Sequence, residues 1–144
     1  MFRSRALAVS AAAIIATGVA GSAAGQSGVP LIPREALFGN PEKIAGRISP
    51  DGKRLSWIAP RDGVLNIWVA PASDMAKARP LTAEKDRPVR SYFWTPDSKH
   101  LLYINDKGGD ENFLLYSVHV ESGAERKLTP FEKTRVRVIG VSHL

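Results

Sequence analysis

Few residues in this chain have the type and spacing to do chemistry. Gly140-Val-Ser142-His143-Leu144 supplies the first three positions of a Gly-x-Ser-x-Gly nucleophile elbow, but Leu144 stands where the second glycine is needed. That elbow works because a strained strand-to-helix turn lifts the serine above a sheet. Here the neighbours Val136, Val138 and Ile139 are β-branched strand formers, and no helical pattern follows. Ser142 is not nominated as a nucleophile. His143 beside it adds nothing, because triad members meet through the fold rather than by adjacency.

The three histidines, His100, His119 and His143, have no zinc-site spacing and read as strand-face residues. With no cysteine there is no thiolate nucleophile, thiolate metal site or disulfide. The most polar stretch, residues 106–112, offers oxygens from Asp106, Asp110, Glu111 and Asn112 and so superficially suggests calcium. It lacks the alternating Asp-x-Asp-x-Asp order, and glycine, aspartate and asparagine are what a hairpin loop needs in any case. Gly63 and the Gly108-Gly109 pair lack the Lys-Ser/Thr and following helix of a phosphate cradle. The sequence therefore assigns no catalytic, metal-binding or cofactor-binding residue, and no cofactor.

The elements that must carry these residues are organised by a repeat. Ile48-Ser-Pro-Asp-Gly-Lys-Arg-Leu-Ser-Trp-Ile58 is matched by Trp94-Thr-Pro-Asp-Ser-Lys-His-Leu-Leu-Tyr-Ile104, with Pro50 recurring as Pro96, 46 residues on. Trp68 recurs as Tyr116 after 48 residues, and Leu81-Thr82 as Leu128-Thr129 after 47. A period of about 40–50 residues with four short strands per unit marks propeller blades. The expected fold is all-β: a partial β-propeller, WD40/TolB-like, of about two four-stranded blades plus the start of a third.

In the first unit, residues 43–49 form a strand candidate and Ser49-Pro50-Asp51-Gly52 a β-turn, with proline presetting φ. Residues 53–59 alternate, with Leu55, Trp57 and Ala59 on one face. Arg61-Asp62-Gly63 is a hairpin signal, residues 64–70 return as a strand, and a short outer strand ends at Leu81-Thr82. The second unit predicts strands at 91–95, 100–105 and 113–120, with a fourth at Arg126-Lys127-Leu128. Residues 135–142 read as the inner strand of the next unit. Trp57, Trp68, Trp94, Tyr103 and Tyr116 fall at repeated positions and are expected to pack between blades rather than stack on a ligand. A propeller closes with typically 4–8 blades, so the chain is expected to be the front end of something larger.

Residues 1–24 read as a cleaved secretory signal peptide: Arg3 and Arg5, an uncharged alanine-rich run over 6–20, then Ser22 and Ala24 at the −3 and −1 positions. The apolar run falls short of the ~20 residues a spanning helix wants, so no stable membrane insertion is expected after cleavage. The expected location is periplasmic or secreted. Residues 25–42 form a lead-in in which Pro33-Arg-Glu-Ala-Leu-Phe38 could make a short helix, with Pro33 at its first position and Gly39-Asn40-Pro41 ending it. The incomplete propeller domain occupies 43–144. Of the net charge of +6, Arg3 and Arg5 belong to the leader, and the remaining 18 Lys/Arg are interspersed with 14 Asp/Glu. A nucleic-acid partner would need a concentrated basic face, and none is legible.

The blade motifs with Arg61-Asp-Gly-Val-Leu-Asn-Ile-Trp-Val69 and Pro80-Leu-Thr82 resemble propellers of the TolB and prolyl-oligopeptidase groups. Lys107-Gly-Gly-Asp-Glu-Asn-Phe-Leu-Leu-Tyr116, the leader, and Ile32-Pro-Arg-Glu-Ala-Leu-Phe-Gly-Asn-Pro41 make the likeness more particular. Together they resemble the N-terminal propeller of secreted bacterial S9 (prolyl oligopeptidase) family serine peptidases of dipeptidyl/acylaminoacyl-peptidase type. The resemblance implies a propeller that gates peptide access to a C-terminal α/β-hydrolase domain bearing a Ser-Asp-His triad. Neither that domain nor its triad is in this sequence, so the chain alone is expected to be inactive. The implied partners are the hydrolase domain and a peptide substrate of the full-length parent. No substrate-amine-binding role is carried to Glu111, whose surroundings do not match a family motif. The alternative is a fragment of a TolB-like propeller that binds proteins. A third is a ring assembled from several copies of the chain.

Overall fold

Two copies of one turn organise the fold. In the first, the Gly52 N–H closes onto the Ser49 carbonyl at 2.8 Å, with Gly52 at φ +71, a left-handed conformation that costs glycine little. The Asp51 carboxylate accepts from the Lys53 N–H (3.1 Å) and the Ser49 hydroxyl (2.6 Å), and Ser49 Oγ accepts from the Arg54 N–H (2.9 Å). The second copy repeats each bond. Ser98 N–H meets the Thr95 carbonyl at 3.0 Å, Asp97 accepts from the Lys99 N–H (2.9 Å) and the Thr95 hydroxyl, and Thr95 Oγ1 accepts from the His100 N–H (3.1 Å). In both turns the hydroxyl first, and the backbone N–H second, hold the aspartate below the usual carboxylate range.

The computed structural model describes residues 31–142, so the leader (1–24), the start of the lead-in, His143 and Leu144 lie outside the described residues. Strands β1 (Ile44–Ile48), β2 (Arg54–Arg61), β3 (Val64–Pro71) and β4 (Arg79–Pro80) form one antiparallel sheet in sequence order. Strands β5 (Tyr92–Trp94), β6 (His100–Asn105), β7 (Leu114–His119) and β8 (Glu125–Lys127) form a second sheet of the same topology. Between β2 and β3, Asp62 and Gly63 have φ of 51° and 81°, the paired left-handed residues of a type I′ hairpin. Helix α1 (Arg34–Phe38) precedes the sheets. Pro33 sits at its N-cap, one position earlier than the sequence suggests, because its ψ of 140° is extended. At the other end Gly39 donates to the Glu35 carbonyl, and a Cβ there would lie 2.4 Å from that oxygen. Only glycine fits.

The repeated Leu-Thr pair is a piece of backbone chemistry. Leu81 N–H donates to the Ile67 carbonyl (2.7 Å), while Thr82 Oγ1 accepts the Ile67 N–H (2.9 Å). Leu128 and Thr129 do the same to Leu115, at 2.8 and 2.9 Å. Each threonine thus extends a two- or three-residue outer strand without further sheet.

The main core lies between the two sheets. Ile58, Ile67 and Val69 of the first blade meet Tyr92, Trp94, Leu101, Tyr103, Tyr116 and Val118 of the second, with Leu81, Val89 and Val120 from the connections. At about 25 cal/mol per Å² of apolar area buried, such a cluster is the chief source of blade-to-blade cohesion. Polar bonds cross the same interface: Trp94 Nε1 to Ser56 Oγ (2.9 Å), Tyr92 hydroxyl to the Ala45 carbonyl (2.8 Å), and Asp51 N–H to Ser98 Oγ (3.0 Å). Arg79 donates to the Val120 carbonyl, and Arg54 pairs with Glu121.

Two expectations are not met within the two blades described. Trp57 and Trp68 do not join this interface. They face each other across β2 and β3 on the opposite side of the first blade, packed with Ala59, Ala70, Leu55 and Ala78. Strand alternation puts them on the face that in the second blade carries the cross-strand pair Tyr103–Tyr116, and that face points back toward the preceding blade. Residues 135–142 form no strand. Among the described residues no second strand lies beside them to complete a ladder. Only the Val136 N–H, bonded to the Phe113 carbonyl at 2.8 Å, repeats the Val89-to-Leu65 bond (2.9 Å) that launches the second blade.

Candidate functional site

The hairpin loop at 106–112 is held from beneath. Asp106, at 4% exposure, pairs with Arg87, Nε to Oδ1 at 2.9 Å, and its other oxygen lies 3.4 Å from the Glu111 N–H. The Arg87 hydrogen bond holds the Asp106 carboxyl below its ordinary range despite burial, and Asp106 in turn raises the guanidinium. Asn105 Nδ2 donates to the Arg87 carbonyl at 3.2 Å, closing the brace. At the loop tip the Asp110 carboxylate accepts from the Asn112 backbone N–H (3.0 Å) and side-chain amide (3.1 Å). Gly108, Gly109 and Glu111 all have positive φ. Of the oxygens that suggested calcium, those of Asp106 and Asp110 are thus committed to Arg87 and to the loop itself. No group of three or more His, Cys, Asp or Glu side chains that could hold a metal occurs among the described residues.

The hairpin brings His100 and His119 face to edge, ring centroids 5.0 Å apart at 73°. Sequence spacing conceals this, because the two sit at opposite ends of a hairpin and pair only through the β6–β7 register. Asp97 lies 3.7 Å from His100, and the Ser122 N–H bonds to the His119 ring (3.2 Å). Two imidazoles and one carboxylate so arranged fasten the strand ends. Ser142 is exposed, outside any strand or helix, and makes no side-chain hydrogen bond to a histidine among the described residues. His143 lies outside them.

Tyr103, fully buried, places its hydroxyl 2.6 Å from Glu125 Oε2 and 3.1 Å from Glu84 Oε1. Burial first, and the two carboxylates second, push its phenol well above the usual value. Neutral at all ordinary pH, it is a fixed donor joining the outer edge of one blade to the connection from the other. Among the described residues no nucleophile, base and oxyanion donor are assembled.

No family model matches the chain. Among curated proteins it is 53% identical over 116 residues to dipeptidyl aminopeptidase BIII of Pseudoxanthomonas mexicana and 32% identical over 97 residues to dipeptidyl peptidase family member 6 of Caenorhabditis elegans. These alignments take in 81% and 67% of this chain but only 17% and 13% of the two relatives, so it spans about a sixth of their length or less. Among solved structures, TolB from Acinetobacter baumannii matches with a TM-score of 0.50 at 26% identity, over 63% of this chain and 22% of that one. A puromycin hydrolase matches with a TM-score of 0.50 at 23% identity, over 60% of this chain and 14% of that one, which speaks to fold alone.

The two sheets are β-propeller blades, of the architecture TolB shares. Across those blades the chain is a homologue of the S9-family dipeptidyl peptidases.

Proposed function

We propose that this chain forms the opening blades of the propeller of an exported S9-like dipeptidyl peptidase, where the propeller restricts which peptides reach a separate hydrolase domain. The observation that carries the reading is the 53% identity over 116 residues to dipeptidyl aminopeptidase BIII. The order of basic, apolar and small residues in 1–24 supports export and clipping near Ala24.

Expression of the whole gene that encodes this chain tests the reading. The product should release dipeptides from a dipeptidyl-nitroanilide and be silenced by a serine-reactive phosphonate. Intact mass of the exported protein should lack residues 1–24. A folded product without dipeptide release would defeat the peptidase assignment. The likeness to TolB supports a second reading, a propeller whose role is protein contact; blades followed by no Gly-x-Ser-x-Gly elbow in that gene would favour it.

A further inference from the structure

A cleft of about 920 Å³ runs along the inner edges of the blades, where β1 and β5 meet residues 135–138. Its charged lining is all of one sign. Arg47, Arg90, Arg135 and Arg137 line it, and no Asp or Glu does. None of the four pairs with a carboxylate among the described residues, although Arg54, Arg61 and Arg87 elsewhere all do. All four are exposed.

Two of these guanidiniums are held by ring faces. That of Arg47 lies 5.6 Å from the centroid of Tyr92, and that of Arg135 lies 5.1 Å from the centroid of Phe113. Stacking on a ring fixes the plane of a guanidinium and leaves its edge N–H groups free, the disposition that takes a carboxylate through two parallel hydrogen bonds. The other two are placed by the repeat. Arg90 follows Val89, and Arg137 follows Val136, the valines whose N–H groups bond back to the preceding blade. The step that begins each blade thus delivers an arginine to the same cleft. Innermost strands of a propeller surround its central channel, so these cations lie on the channel side.

We infer that this cleft binds a peptide bearing carboxylates, with Arg90 and Arg137 taking the carboxylates and the stacked Arg47 and Arg135 flanking them. The volume suits several residues of peptide, and the aromatic rings supply apolar contact between the charges. The inference deepens the peptidase reading by naming a class of peptide, but binding can be measured without hydrolysis.

The test titrates the full chain into a hexapeptide of glutamate and alanine with a free C-terminus, labelled at its N-terminus with an uncharged boron-dipyrromethene dye and read by anisotropy. Three further probes carry Gln for Glu, an amidated C-terminus, or both. Binding should weaken with salt, and R90Q/R137Q should weaken it about tenfold or more, with R90K/R137K intermediate because the charge stays and the fork is lost. Both positions are exposed, so thermal midpoints should be unchanged; if the double variant melts early, R90Q and R137Q are compared singly. Loss on amidation alone assigns the terminal carboxylate, and loss on Glu-to-Gln alone assigns side chains. Equal binding of the peptide lacking both carboxylate sources, unchanged binding by the Arg-to-Gln variants, or equal binding of an oligothymidylate would overturn the inference. Dipeptide release by the whole gene product with no such binding sinks this inference and spares the proposed function; the reverse outcome does the opposite.

Discussion

Trp94 of the second blade donates its indole N–H to the hydroxyl of Ser56 in the first, at 2.9 Å and in full burial. The same hydroxyl lies 3.0 Å from the Tyr92 hydroxyl. One small side chain thereby satisfies the polar ends of the two largest rings on β5. Ser56→Ala should strand the indole N–H and cost about 1–3 kcal/mol, read by denaturant unfolding. Adding Trp94→Phe should cost less than the two single changes summed, because the unpaired donor goes with the indole. Strict additivity would show that the bond contributes nothing.

Asn66 is fully buried and uses its whole amide. Its Oδ1 accepts from the Thr82 hydroxyl and the Glu84 N–H, both at 2.8 Å, and its Nδ2 donates to the Val64 (3.1 Å) and Glu84 (3.0 Å) carbonyls. Asn66→Asp keeps the shape but turns a donor pair toward two carbonyls into a buried charge. A loss of about 3–5 kcal/mol is expected at neutral pH, and it should shrink in acid, where the protonated carboxyl can donate once. Thermal melts of both proteins across pH check this; a constant difference would count against it.

The Arg87–Asp106 pair should make the hairpin acid-sensitive. Because the folded-state pKa of Asp106 is lowered, the group's contribution is complete above the unfolded value of about 3.9 and fades as pH falls through the lower folded value. Asp106→Asn should therefore melt earlier than the natural sequence at pH 7 and lose most of that difference in strong acid. Hydrogen exchange at residues 107–112 should rise in the variant at neutral pH, and unaltered protection would show that Arg87 does not brace the loop.

The chain on its own should not hydrolyse dipeptidyl-nitroanilides or esters. Ser142 stands exposed, away from any elbow, so activation has no source. Turnover that vanished with Ser142→Ala would reverse that conclusion.

The strands were legible because their boundaries are chemical. Gly52 and Gly63 carry backbone conformations few residues adopt, Pro50 presets the φ of its turn, and Asp51 and Asp97 bind their own turns. Alternation then assigned Leu55, Trp57 and Ala59 to one face. Which neighbour that face meets was not legible, since alternation distinguishes two sides of a sheet without saying what covers either. Ser56 reads as an unremarkable polar strand residue until Trp94 arrives from 38 positions away. The arginine cleft was hidden for a related reason. Arg47, Arg90, Arg135 and Arg137 are spread along the chain among acids of comparable number, and only the fold sorts one sign from the other.

The bond from the Asp51 N–H to Ser98 Oγ joins the same turn in consecutive repeats. The position that accepts, residue 98, has its counterpart in the first turn at Gly52, which has no hydroxyl to offer. The coupling is therefore a hook on one blade and an eye on the next, and the two units cannot trade places. Exchanging their turns would leave a bare glycine facing a backbone donor. Modules of one topology have in this way acquired a fixed order of assembly, written in one oxygen atom.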